Sequence, residues 1–356
     1  MDRKTALKNT VLSLLLMGGL TALLVLVFRD HMDAIWAGLS KLSWVGFLLL
    51  FCAGLLYYVI DSAIFLRLAR DALPDMTFRQ AFEMNMLGLF GTVSTCSAGT
   101  VPLQLFYLKK QGGDSGRGLG IITLKYVILK GSLLLFTTIF LCLEGRWALS
   151  AAPWVIGLML AGYGICAGVV FVLLLLSSSG RAYRLAMKLC GCLPGTEKWK
   201  RRKEKLVTQL NCLFQETNRM LHRKHELVLA VLLDLLKQLC LCAIPWLCMS
   251  MLGIEGLSLS RSLMLMGLMR LIAGALPNLA GMGPTEVAFM LLFSCVLSGA
   301  ESSTLLILYR ISTYYLPFVV SVGFFWSIQK NVFHFSEEHP ETFREMDRMN
   351  CGERSE

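Results

Sequence analysis

Ionisable side chains inside long apolar stretches are the residues of this chain that could do chemistry. They are Lys130, Asp234, Lys237, Arg270, Glu286 and Arg310. Placing such groups within hydrocarbon costs free energy, which makes them candidates for a binding site or a translocation path. Guanidinium and ammonium groups bind phosphate well. We therefore predict that Arg270, Arg310 and Lys130 bind phosphate, while Glu286 binds an amine or a proton that couples transport.

Structural roles compete with this hypothesis at each position. Asp234 and Lys237 are about one helical turn apart, so they can pair with each other inside a helix bundle. Glu286 stands where a helix begins, and a carboxylate there favours the helix dipole and caps the helix. Arg270 and Arg310 can neutralise Glu286 instead of binding a phosphate. The sequence leaves both kinds of role open.

Two further charged residues, Asp61 and Lys125, also lie in apolar stretches but nearer to their ends. A structural role is the simpler expectation for both. Asp61 would reach the cytoplasmic interface, and Lys125 would extend its long stem until the ammonium meets the lipid head groups.

Two segments rich in small and helix-breaking residues interrupt the apolar pattern. Residues 91–102 contain Gly99 and Pro102, and Gln104 follows them; residues 276–286 contain four further breaks, Pro277, Gly281, Gly283 and Pro284. Non-helical backbone at membrane depth is tolerated only where protein or a wet cavity surrounds it. The polar side chains of the first segment suit a hydrated path for a head group, or they satisfy the unwound backbone.

Enzyme and metal signatures are absent from the sequence. The five histidines all lie outside the apolar stretches, and no His-x-x-x-His pair occurs. There is no glycine-rich phosphate loop and no nucleophile elbow. We predict no metal, no cofactor and no catalytic residue, so the chain is not expected to be an enzyme by itself. The net charge of +10 suits an anionic membrane leaflet better than nucleic acid.

The elements that must position these residues are membrane-spanning helices. Hydrophobic residues make up 55% of the chain and charged residues only 16%, whereas soluble proteins carry about a quarter charged residues. Six apolar stretches are long enough to cross the hydrocarbon core. They are Thr10–Phe28, Trp44–Leu66, Leu119–Leu143, Trp154–Leu176, Leu227–Met251 and Thr304–Ile328. The pattern predicts an all-α polytopic membrane protein with about six full spans.

Charge sets the predicted orientation. The hydrophilic loop 181–226 contains twelve Lys and Arg residues against four acids, which places it in the cytoplasm. Apolar residues at helical spacing within it predict a helix on the membrane surface. Both termini then fall on the cytoplasmic side. Residues 1–330 form one membrane domain in this reading, and residues 331–356 form an acidic tail.

The two interrupted segments predict an inverted repeat. Each has apolar arms of about 15 residues, or ~22 Å of helix, which is too short to cross comfortably. We interpret them as two re-entrant helical hairpins that enter from opposite sides. Repeat 1 covers about 44–143 and repeat 2 about 227–328, an architecture found in many transporters. The alternative is an eight-span bundle with two kinked helices.

The stretch Pro277-Asn-Leu-Ala-Gly281-Met-Gly283-Pro-Thr-Glu286, with Tyr309-Arg310 in the last span, resembles the lysylphosphatidylglycerol synthase transmembrane-domain family. The break Ser97-Ala-Gly-Thr-Val-Pro102 is also similar. This family includes the flippase part of the multiple peptide resistance factor. The resemblance implies movement of an aminoacylated lipid to the outer leaflet, which protects against cationic antimicrobial peptides. We expect a membrane part without the soluble aminoacyl-transferase domain, since residues 331–356 are too few for one.

The leading hypothesis is a plasma-membrane flippase for an anionic or aminoacylated phospholipid of the lysylphosphatidylglycerol type. Membrane phospholipids would be its partners, and Glu286, Arg270, Arg310, Lys130, Gln104, Asp234 and Lys237 would line the path. One alternative is a secondary transporter of a small soluble substrate. Another is a membrane subunit related to phosphatidylglycerol lysyltransferase and completed by a separate soluble transferase. The sequence leaves oligomeric state open and gives no sign of nucleic-acid binding.

Overall fold

The computed structural model describes residues 42–95, 97, 99–151, 214–220, 222–275 and 283–338, with isolated positions between 40 and 212. Within these ranges the chain is helical and contains no β-strand. The all-α class predicted from the sequence is therefore confirmed. The predicted first and fourth spans, most of loop 181–226 and the distal tail lie outside the described residues.

Four helical segments in the described part are long and apolar enough to cross a membrane. They are Trp44–Ala69, Ser115–Ala148, Lys224–Leu252 and Gly299–Ile328. Each overlaps one of the predicted spans. The first of them starts at a conventional N-cap, because the Ser43 hydroxyl accepts a hydrogen bond from the Gly46 N–H at 3.1 Å.

The described residues of the first half, up to Ala151, contain four helices. We label them α1 (Trp44–Ala69), α2 (Phe78–Ser94), α3 (Thr100–Lys110) and α4 (Ser115–Ala151). Thr77 and Gln80 form a reciprocal capping box at the start of α2. Helices α2 and α3 pack against each other and form the first helical hairpin.

The described residues from Lys224 onward contain six helices and one π-helical turn. They are α5 (Lys224–Cys242), α6 (Ile244–Leu252), α7 (Leu259–Ala275), α8 (Pro284–Phe293), α9 (Gly299–Arg310), the π-turn Ile311–Tyr315, and α10 (Leu316–Glu338). Pro245 stands in the first turn of α6 and marks the break after α5. Helices α7 and α8 pack together as the second helical hairpin.

Both hairpins break near the predicted residues. Gly99 directly precedes α3, Pro102 stands in its first turn, and Ser97 before them has φ 72°. In the second hairpin α8 begins at Pro284, and Gly283 before it has φ 98°, a conformation that favours glycine. Pro277 and Gly281 lie outside the described residues.

Several extensive helix–helix contacts cross between the two halves. Helix α1 packs against α5, the first hairpin packs against α10, and the second hairpin packs against α4. Each hairpin therefore contacts the last helix of the opposite half.

One backbone contact joins the halves closely. A Cβ atom on Gly54 of α1 would lie 1.9 Å from the Ser312 carbonyl oxygen in the π-turn, so only glycine fits there. The Ser312 hydroxyl donates to the Leu50 carbonyl at 2.5 Å. This contact holds the π-turn against α1.

Part of the basic loop is helical and packs on the bundle. Residues 214–220 form a helical stretch, and buried Glu216 lies 3.5 Å from Arg117 at the start of α4 and 2.5 Å from Arg219. A Cβ atom on Gly120 would meet the Cys212 carbonyl oxygen at 2.6 Å. This stretch is part of the segment predicted to be a surface helix, and it packs against α4.

Candidate functional site

A cavity of about 280 Å³ lies where α1, α4, α7 and α9 meet. Its polar and charged lining residues come from both halves of the molecule. They are Tyr57, Tyr58, Lys130, Arg270, Thr285, Tyr309, Arg310 and Thr313. The apolar remainder includes Leu129, Leu133, Leu241 and Met269. Three cationic side chains predicted from the sequence to act together therefore share one cavity.

Arg310 occupies the cavity wall at the end of α9 and pairs with Glu286 of α8. Both side chains are almost fully buried, at 8% and 5% exposed. The second carboxylate oxygen of Glu286 accepts a hydrogen bond from the Gly283 N–H at 2.6 Å. Glu286 therefore caps its own helix and neutralises Arg310 at once. The π-turn begins directly after Arg310, and such turns are frequent at functional sites.

Arg270 enters the cavity from α7 and is held by a neutral partner. Its guanidinium donates to the Gln238 side-chain oxygen. Gln238 in turn donates to Asp234 at 3.0 Å. In the described part of the chain Arg270 has no carboxylate partner, so its charge is not neutralised by direct contact.

Lys130 stands at the edge of the cavity on α4. Its ammonium donates to the Gly274 carbonyl of α7 at 3.5 Å and lies 5.4 Å from the centre of the Tyr126 ring. The Tyr126 side chain is half exposed. Lys130 therefore stands beside an exposed side chain of α4.

Asp234 and Lys237 do not line the cavity. They form the predicted pair, with Lys237 Nζ 2.5 Å from Asp234, and both are completely buried. Lys237 also lies 5.1 Å from the centre of the Tyr57 ring, which does line the cavity. The pair stands directly behind the cavity wall.

A chain of buried polar contacts continues from this pair into the first half. Asp61 of α1 lies 2.9 Å from Lys237 and 2.5 Å from Lys125 of α4. Lys125 also donates to Asn85 of α2 at 2.9 Å, and Asn85 donates to Ser62 at 2.9 Å. Asp61 therefore joins the two halves, because it contacts Lys125 in the first and Lys237 in the second.

The expected interfacial placement of Asp61 and Lys125 is wrong. The Asp61 and Lys125 side chains are only 10% and 13% exposed, because each finds a partner inside the bundle. Sequence position near the end of an apolar stretch suggested an interfacial location. No local sequence signal could have corrected it, because the partners Lys237 and Asn85 come from other helices.

The charged residues among the described lining of the cavity are all cations. They are Lys130, Arg270 and Arg310. Guanidinium and ammonium groups gathered around one cavity are suited to an anion such as phosphate.

Gln104 lies away from the cavity. It is buried within the first hairpin, where a Cβ atom on Gly88 would meet its side-chain nitrogen at 2.4 Å. The polar residues of this hairpin satisfy its broken backbone: Thr95 accepts from the Gly99 N–H at 2.5 Å and donates to the Gly91 carbonyl at 2.7 Å. This is the second of the two roles predicted for that segment.

Groups of His, Cys, Asp and Glu that could hold a metal ion are absent from the described residues. The seven described cysteines are free thiols. The chemistry that the arrangement offers is therefore charge and hydrogen bonding: two guanidinium groups, one ammonium group and several hydroxyl groups around a small cavity.

The fold and cavity define a polytopic helical membrane protein with a cationic internal site. Comparison with protein families gives a match to the lysylphosphatidylglycerol synthase TM region over residues 10–321. The chain belongs to this family, as the hairpin and last-span residues predicted. A search of curated proteins and a search of solved structures both found no match.

Proposed function

We propose that this chain is a membrane lipid translocase, and that the phosphate of the moving head group occupies the cavity between α1, α4, α7 and α9. One observation carries the proposal: Lys130, Arg270 and Arg310 come from three different helices and share one cavity. Membership of a family named for lysylphosphatidylglycerol is consistent with a lipid substrate.

The size of the cavity favours a head group over a whole lipid. Its volume of about 280 Å³ lies near the lower end of small-molecule sites. A phosphate with a small polar substituent fits such a space, and the acyl chains would stay in the bilayer. The exposed edge at Tyr126 and Lys130 gives the head group a route between α4 and α7.

Movement of the head group would depend on the packing between the two halves. In transporters built from inverted repeats, one repeat rocks against the other around a fixed site. Here the cavity is lined by both halves of the described chain, with Lys130 on one and Arg270 and Arg310 on the other. Rocking would open the cavity first toward one leaflet and then toward the other.

The test is a flipping assay in proteoliposomes. Phospholipids labelled on an acyl chain are reconstituted with the protein, and dithionite reports the label in the outer leaflet. Arg270→Gln removes a charge-assisted hydrogen bond worth about 1.5–3 kcal/mol, so flipping should slow at least about tenfold. Equal rates for wild type and Arg270→Gln would overturn the site.

Arg261→Gln is the matched control. Arg261 also lies on α7, but it pairs with Glu144 at 3.3 Å and stacks on Trp147, outside the cavity. Its removal should leave flipping unchanged. A similar loss in both variants would mean that any lost arginine on α7 disables the protein, and the cavity would have no special role.

A secondary transporter of a soluble organic phosphate is the second candidate, because the same three cations would bind a phosphate monoester. The same vesicles discriminate between the two. Uptake of radiolabelled glycerol phosphate without lipid flipping would replace the translocase proposal. Lysyl transfer from charged tRNA to phosphatidylglycerol by the purified chain would instead support an enzyme subunit.

A further inference from the structure

We propose that Gln238 of α5 is a positioning residue for the anion-binding site: it holds Arg270 in place and keeps its charge available to a phosphate. The inference rests on the proposed function, since it assigns a role at the same cavity. Gln238 is completely buried and does not belong to the described lining of the cavity. It would therefore act on a bound head group only through Arg270.

The side-chain amide of Gln238 has a single favourable orientation. Its nitrogen donates a hydrogen bond to Asp234 Oδ2 at 3.0 Å, and its oxygen accepts one from the Arg270 guanidinium. An ionised carboxylate only accepts hydrogen bonds, and a guanidinium only donates them. A reversed amide would place donor against donor and acceptor against acceptor. The two neighbours together therefore fix the amide oxygen toward Arg270.

Asp234 is in turn fixed from its other side. Its second oxygen, Oδ1, lies 2.5 Å from Lys237 Nζ, and Lys237 lies 2.9 Å from Asp61 of α1. The Asp234 and Lys237 side chains are at most 1% exposed. Separating buried ion partners is costly because it leaves a charge uncompensated. Arg270 is thus tied through one amide to a firmly held part of the bundle.

Gln238 also separates Arg270 from the Asp234 carboxylate. In the described part of the chain, the side chain that accepts a hydrogen bond from the Arg270 guanidinium is this neutral amide. A guanidinium has five N–H donors, and one amide oxygen occupies only part of them. Hydrogen bonds to an ionised acceptor are roughly twice as strong as those between neutral groups. A phosphate in the cavity therefore competes well for the remaining donors.

Arg310 provides a comparison within the same cavity. It pairs directly with Glu286, and both side chains are almost fully buried. A phosphate would have to share or displace that carboxylate, and breaking a buried ion pair is costly. Arg270 can bind a phosphate and keep its contact with Gln238. Of the two arginines, Arg270 is thus the one whose partner leaves it available to an anion.

The experiment measures binding of glycerol phosphate, a soluble head-group analogue, to the purified protein by isothermal titration calorimetry. Gln238→Glu keeps the shape of the side chain but gives Arg270 a carboxylate partner. At about pH 8 the introduced group is ionised beside the guanidinium, and affinity should fall at least about tenfold. Gln238→Met removes both hydrogen bonds without adding charge, and affinity should fall by a smaller factor of about three.

The order of the two variants separates positioning from packing. If Gln238 only stabilised the bundle, Gln238→Met would bind less well than Gln238→Glu, because it loses both hydrogen bonds. That order, or wild-type affinity in Gln238→Glu, would overturn the inference. Should Gln238→Glu fail to fold, unchanged affinity in Gln238→Met would overturn it instead.

Gln104→Glu is the matched control, because Gln104 is also buried but lies in the first hairpin, away from the cavity. It introduces the same charge into the bundle and should leave the affinity for glycerol phosphate unchanged. An equal loss in Gln104→Glu and Gln238→Glu would mean that any new buried carboxylate disables binding, and the special role of Gln238 would be lost.

Flipping in proteoliposomes separates this inference from the proposed function. The double variant Gln238→Met, Arg270→Gln should flip acyl-labelled phosphatidylglycerol and lysylphosphatidylglycerol no more slowly than Arg270→Gln alone, because residues that act as a unit are not additive. Additive losses would overturn the positioning role while the translocase stood. Binding that depends on Gln238 without any lipid movement would remove only the translocase. If the wild-type protein neither binds glycerol phosphate nor moves a phospholipid, both proposals fail.

Discussion

Asp61→Asn is the substitution whose effect on stability the structure predicts most directly. The Asp61 carboxylate lies 2.5 Å from Lys125 Nζ and 2.9 Å from Lys237 Nζ. The Lys237 side chain is fully buried and the Lys125 side chain is 13% exposed. An asparagine has nearly the same shape but no charge. The change therefore removes the charge between two buried cations without creating a cavity.

The expected cost is about 3 kcal/mol. Removing one partner of a buried ion pair typically costs about 3–5 kcal/mol, because the other charge is left uncompensated. The lower end applies here, since Lys237 retains Asp234 at 2.5 Å and Lys125 retains Asn85 at 2.9 Å. The free energy of unfolding can be measured by SDS titration in mixed micelles.

A second variant separates charge imbalance from lost packing. In the double variant Asp61→Asn, Lys125→Met the uncompensated ammonium is also removed, so about half of the lost stability should return. Asp71→Asn is the control: Asp71 pairs with Arg223 at 2.5 Å, but both side chains are more than one third exposed. Exposed pairs are worth about 1 kcal/mol or less. If Asp61→Asn costs no more than Asp71→Asn, the junction role of Asp61 is refuted.

The other predictions concern the backbone. Gly54→Ala should destabilise the protein by about 2 kcal/mol or more through overpacking, because the new Cβ atom would meet the Ser312 carbonyl. Gly131→Ala is the control, because a Cβ atom there would have nothing within 4 Å. This control should stabilise the protein by up to about 1 kcal/mol through helix propensity. Equal effects in SDS titration would refute the close contact. Thr95→Val should cost about 1–3 kcal/mol and accelerate hydrogen exchange at Gly99, whose N–H loses its acceptor; unchanged exchange would contradict that bond.

Helix class and helix breaks were readable from the sequence because both depend on local composition. A run of apolar residues long enough to cross the bilayer needs no tertiary information, so the four described spans agree with the prediction. The break at Gly283-Pro284 was readable for the same reason. The structure places α8 immediately after it.

Pairing between distant helices was not readable. Arg310 could have bound Glu286 or a ligand, and only the packing of α8 against α9 decides that it binds Glu286. Asp61 contacts residues on α4 and α5, which are far from it in the chain. The sequence predicted Gln104 to line the path because it stands near a predicted break. The packing of the first hairpin instead buries its side chain against Gly88, away from the cavity.

The packing of the first hairpin against α10 has a consequence for biosynthesis. Helix α2 emerges from the ribosome long before α10, the helix against which it packs. The first hairpin therefore lacks this contact until the second half of the described chain has been made. Packing between the halves is completed only after both have entered the bilayer, as in a domain-swapped dimer whose two arms belong to one polypeptide.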